Sequence, residues 1–190
     1  MRKVLFVIVI LFSFSACNSN GSKENNTKSS DTTQANISVN NVTEKKAVTS
    51  NEVLAAYLQL KNALVNDNGK EAATAAKEII TAWKKIDQAS LTAEQKKIYD
   101  DVNEDIQEHA EHISKNGDKI EHQREHFDLL SDIIYELVKG IPLGRTLYKD
   151  RCLMYNDNKG AIWLSEVREI KNPYYGKKML TCGVIKEEIK

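Results

Sequence analysis

Histidine is missing from all but one short stretch of this chain: the four imidazoles of its 190 residues fall between His109 and His126. Other absences narrow the possibilities. No apolar run approaches the roughly 20 residues that a bilayer span needs. Neither sign of charge dominates, with 27 Lys and Arg against 27 Asp and Glu, so nothing in the electrostatics argues for nucleic acid as a partner. Paired C-x-x-C motifs are lacking, which rules out a zinc ribbon. There is no Gly-rich phosphate loop, and no recognisable nucleophile motif surrounds a cysteine, so the chain is read as a binding protein rather than an enzyme.

What is present begins with an address. Arg2 and Lys3 precede an apolar run at residues 4–12, and Ser13, Ser15 and Ala16 lead into Cys17. A charged start, a short apolar core and a small-residue exit describe a secretory signal. Its closing cysteine resembles that of a bacterial lipoprotein, so residues 1–17 are expected to be a signal with Cys17 lipidated. Two or more acyl chains there would hold the protein at a membrane. Asn18, rather than Asp, follows the cysteine; by lipoprotein sorting rules this favours the outer membrane, facing the periplasm. Residues 18–50 are rich in Asn, Ser, Thr and Lys and have no aromatic residue. They are expected to be a disordered polar tether, because they cannot bury enough apolar surface to offset ordering entropy.

The remaining residues suit one domain. Four stripes at helical spacing predict a mainly α, up-and-down bundle over 51–140. The first carries Tyr57 and Leu64, and the second Ile79 and Trp83. Thr92 with Gln95 predicts a capping box for the third, which carries Ile106 and Ile113. In the turn Asn116-Gly117-Asp118, Gly117 is expected to make a left-handed exit and Asp118 to cap the fourth helix. Phe127, Leu130 and Ile134 lie on that helix, which ends at Gly140 before Pro142. Residues 141–190 change texture. Short runs at 147–155, 161–165 and 179–189, separated by Asn/Gly and Pro/Gly turns, predict a small β appendage packed on the bundle.

A helix hairpin folded at Gly117 sets residues whose numbers sum to about 234 opposite one another, pairing His112 with His122 and His109 with His126. Helical phase directs at least three of the four toward the interior. Such imidazoles are either a transition-metal chelate or interface histidines bonded to carboxylates such as Glu121 and Glu125. The soft donors are equally concentrated. Beyond Met1 and Cys17, every Cys and Met lies in the appendage: Cys152, Met154, Met179 and Cys182. Thiolate with thioether favours Cu(I), whereas two cysteines in an oxidising compartment favour a Cys152–Cys182 disulfide in a structural or interaction domain. Folding the appendage back is expected to bring Cys152 near His122 or His126, making one shared site.

The stretches "HISKNGDKIEHQREHF", "LYKDRCLMYNDNKGAIWLS" and "EIKNPYYGKKMLTCG" resemble the family known as domain of unknown function 3347, over roughly residues 50–187. The resemblance implies a periplasmic lipoprotein, or a relative of the extensions found on heavy-metal efflux adaptor subunits of the copper/silver type. It implies a soft metal such as Cu(I) or Ag(I), an efflux adaptor as partner, and ligands His112, His122, His126, Cys152, Met154, Met179 and Cys182, with His109 beside them. This chain departs from the family pattern at Leu153, where a proline is usual.

Overall fold

The computed structural model describes residues 36–141 and 144–190, with side chains from residue 51 onward. The expected signal, its Cys17 and the tether up to residue 35 lie outside the described residues. Four helices follow in order: α1 Asn36–Val65, α2 Gly69–Lys84, α3 Ala93–Lys115 and α4 Ile120–Gly140. Three strands complete the chain: β1 Leu147–Cys152, β2 Ala161–Ser165 and β3 Val184–Ile189. The mainly α bundle with a small β appendage is therefore the architecture. Among the described residues no helix is long and apolar enough to cross a membrane.

Helix α1 starts well before residue 51. Residues 36–50, expected to be part of the tether, are helical backbone continuous with the first bundle helix. No Gly or Pro interrupts this stretch, and elongating an existing helix is far easier than nucleating one.

The turns explain the order of the helices. Asn68 caps α2 by accepting from the Glu71 N–H, and Thr92 and Gln95 form the expected capping box of α3. The α3–α4 turn differs from expectation. Asn116 is the C-cap at φ −119°, Lys119 holds the N-cap position, and no side chain caps α4. Gly117 serves close approach rather than handedness, and Gly69 is the stricter of the two glycines. A Cβ on Gly117 would meet Ala73 Cβ at 3.3 Å, and one on Gly69 would stand 2.6 Å from the Gly117 carbonyl oxygen. Two interhelical turns thus press together, and Gln123 pins them by donating to the Gly69 and Ile113 carbonyls at 2.9 and 3.0 Å.

Consecutive helices pack on one another, and α4 also packs on β2. The core runs from Trp83 and Ile79 through Tyr57, Leu60 and Phe127 to Trp163 and Leu164. The sheet order is β2-β1-β3, both pairings antiparallel, with an irregularity between Lys149 and Asp150 on the β3 side. Tyr57 ties three elements together. Its hydroxyl lies 2.9 Å from Ser131 Oγ of α4 and accepts from the Leu164 N–H of β2 at 3.0 Å.

Candidate metal centre

Helices α3 and α4 bring all four histidines into one group, as the hairpin arithmetic predicts. His109 Nδ1 and His126 Nδ1 are 3.1 Å apart, and the His112 and His122 rings are 5.9 Å apart, edge to face. A diagonal contact is closer still: His112 stacks on His126 with ring centroids 4.2 Å apart. His112, His122 and His126 each offer a nitrogen, and the three nitrogens lie within 4.8 Å of one another. A metal–nitrogen bond of about 2.0–2.1 Å sets ligand nitrogens roughly 3.3–3.6 Å apart, a gap that side-chain rotation closes. Three protein ligands leave a fourth position open for water or an exchanging partner.

The interior placement expected of these rings is corrected. His112 is exposed and the other three are half-buried. The reason is local: the rings lie at the solvent edge of the α3–α4 seam.

Outer contacts orient the trio. Glu125 Oε2 lies 3.2 Å from His122 Nδ1, so a proton on Nδ1 leaves Nε2 free, the arrangement in which a carboxylate aims a metal-binding imidazole. His109 does the same for His126 through the Nδ1 pair, and so acts as a supporting group rather than a fourth member of the trio. Desolvation, then the neighbouring His112, His122 and His109, lowers the His126 pKa to about 4. Desolvation also lowers that of His109. With a pKa of about 4, His126 is neutral at pH 7, the form that binds metal.

The sulfurs form a second group. Cys182 Sγ lies 3.7 Å from Met154 Sδ, with Cys152 near enough to influence its thiol. Both cysteines are free thiols, so the bridge considered from sequence is not formed in this structure. Burial and the nearby Cys152 raise the Cys182 thiol above its ordinary pKa. Cys152 is fully buried, Met154 is 47% exposed and sits beyond the end of β1, and Met179 contributes its backbone carbonyl to the Cys182 turn.

The two groups do not merge as expected. His122 and His126 face α3, whereas Arg124, two residues on, reaches the appendage through the Pro173 carbonyl at 2.8 Å. Two residues along a helix are 200° apart, so the appendage packs against the other side of α4.

Sequence reasoning missed Arg124. This buried guanidinium donates to the Leu64 and Pro173 carbonyls and to Asp67 Oδ1 at 2.6 Å. It joins α1, the α1–α2 turn, α4 and the appendage. An arginine between His122 and Phe127 on a largely apolar helix face was the available signal. Asp67 is held below the ordinary carboxylate pKa despite a desolvation penalty, by Arg124 and by the Lys177 N–H.

On the middle hairpin of the bundle, His112, His122 and His126 thus lie close enough together to hold a metal ion. Residues 53–146 match the family described as a protein of unknown function, DUF3347, and the chain belongs to that family. The match covers most of the bundle and ends just before β1, so the C-terminal motifs lie outside it. No curated protein and no solved structure matches the chain.

Proposed function

We propose that this protein binds a transition-metal ion of the copper type through His112, His122 and His126. The carrying observation is the convergence of the three imidazoles, with His126 held neutral by desolvation and then by the neighbouring histidines. An all-imidazole set suits borderline ions such as Cu(II), and the Cys152, Met154 and Cys182 sulfurs suit Cu(I) or Ag(I). Copper is the element whose two oxidation states match the two donor groups.

The proposed setting is a lipoprotein anchored by Cys17 at the outer membrane and facing the periplasm, where it serves as a metal-binding accessory to a heavy-metal efflux adaptor. The signal-like N-terminus and the family resemblance support this setting. The role is binding, not catalysis.

The test is titration of the purified mature protein with Cu(II), and with Cu(I) under anaerobic reducing conditions. It compares wild type with His122→Ala/His126→Ala and with Cys152→Ser/Cys182→Ser. Loss of Cu(II) binding in the histidine variant alone, and of Cu(I) binding in the cysteine variant alone, is expected. Failure of wild type to bind either ion would leave a structural or interaction domain as the reading.

A further inference from the structure

On the appendage side of α4 lies a cavity of about 610 Å³, within the range of small-ligand sites. Glu121 and Asp128 enter it from the helix, Tyr155 and Asp157 from the β1–β2 turn, and Tyr174 and Tyr175 from the segment before β3. The tyrosines form a continuous aromatic wall: Tyr155 stacks on Tyr174 at 4.4 Å and meets Tyr175 edge-on at 6.1 Å. The Tyr174 and Tyr175 hydroxyls donate to the Ile162 and Met154 carbonyls, which holds those two rings in place.

The charges are unbalanced. Arg124 lines the cavity, but its guanidinium is already satisfied by Asp67 and two carbonyls. Its approach to Glu121 is long, at 3.8 Å. Glu125, at the margin, points to His122. Asp128 is half-buried, and among the described residues no hydrogen bond or ion pair engages its carboxylate or that of Asp157. Lys178 also lines the cavity and forms no ion pair among the described residues. The cavity therefore presents π faces beside uncompensated carboxylates. An aromatic face attracts a cation through its ring quadrupole, more strongly when the pair is desolvated.

We propose that this cavity binds an organic cation, a primary alkylammonium whose chain lies against Tyr155 and Tyr175, backed by the buried Tyr174, and whose charge faces Asp128. The ammonium belongs either to a small free amine or to a lysine side chain of another polypeptide. The site is separate from the histidine trio and does not depend on the metal-binding reading.

The experiment is an NMR titration of the mature chain in the presence of a chelator, following the ring resonances of Tyr155 and Tyr175. The probes are n-butylammonium, end-blocked lysine, and neutral n-pentanol as the control of similar length. Both cations should give saturable shifts, with n-pentanol weaker by about tenfold, the equivalent of roughly 1.4 kcal/mol. A response to blocked lysine alone assigns the site to a polypeptide, and a response to n-butylammonium alone assigns it to a free amine. Asp128→Asn should weaken the cations about tenfold, and Lys178→Met should tighten them by removing a competing charge. Equal binding of n-pentanol, no saturable shift with either cation, or unchanged affinity in Asp128→Asn would each overturn the proposal.

Discussion

The histidine group and the sulfur group are built by different means, and the difference is instructive. The imidazoles stand on two helices of a packed bundle, where spacing along α4 and one turn at Gly117 fix their relative positions. The sulfurs stand at the ends of strands and in turns, where long-range pairing brings residues 152 and 182 together. The first group is open to solvent and supported by outer contacts from Glu125 and His109. The second has one donor fully buried and another half exposed. A helix-borne set is held in place before an ion arrives, whereas a turn-borne set can adjust around a softer ion that accepts varied geometry.

The largest expected effect comes from cutting the tie between the two regions. Arg124→Ala removes a buried guanidinium from Asp67 and two carbonyls, and should cost about 3–5 kcal/mol. Thermal or urea unfolding of apo protein would measure it, and a loss under 1 kcal/mol would show that the regions are held together by apolar packing alone.

Next is separation of the sites by ligand removal. His122→Ala/His126→Ala should weaken Cu(II) binding by about 100-fold or more, because first-shell loss should reach at least the upper end of the 10–100-fold seen for outer contacts. Cys152→Ser/Cys182→Ser should leave that affinity within about threefold. Comparable losses in both variants would mean that the groups share one ion after all.

Acid should pull the regions in opposite directions. Burial raises the Asp150 pKa to about 7, with Lys61 opposing the rise, and among the described residues neither carboxylate oxygen has a hydrogen-bond partner. A raised carboxyl stabilises the fold fully below its unfolded pKa near 3.8, and that stability is lost as pH climbs through about 7. For Asp150→Asn, stability relative to wild type should therefore rise between pH 5 and pH 8, by about 2 kcal/mol after allowance for relaxation around the buried charge. His126 has the opposite sign. Its folded pKa of about 4 lies below the unfolded value near 6.5, so stability present above 6.5 drains away as pH falls toward 4. His126→Gln should flatten that acid limb in denaturant titrations of metal-free protein; an unchanged limb would mean that His126 protonates as freely folded as unfolded.

The smallest expected change is in Glu125→Gln, which keeps the shape but weakens the acceptor for His122. Cu(II) affinity should fall about tenfold with unchanged stoichiometry. Equal affinity would mean that the trio needs no carboxylate to aim it.

Much of this arrangement was legible beforehand because it is periodic. Stripes such as Tyr57 and Leu64 or Ile106 and Ile113 locate helices, and reflection about Gly117 pairs His109 with His126. Failures occurred wherever a distant residue decides. Gly117 answers to Ala73 across the bundle, and Gly69 to the Gly117 carbonyl, rather than either to its own turn. Arg124 finds Asp67 at a separation of 57 positions. The diagonal His112–His126 stack depends on side-chain rotation, which no spacing rule supplies. The expected merger of thiols and imidazoles failed because it ignored which side of α4 the appendage covers.

The bond from Tyr57 to both Ser131 and Leu164 bears on cooperativity. The family match ends at residue 146, yet this hydroxyl, buried in α1, draws one of its two partners from β2. If the sheet frayed away, it would strip the Leu164 amide from a site closed to water and uncover Phe127 and Trp163, which both pack on Tyr174. Bundle and appendage should therefore melt in a single transition, and a fragment truncated at the family boundary would be an unfinished fold.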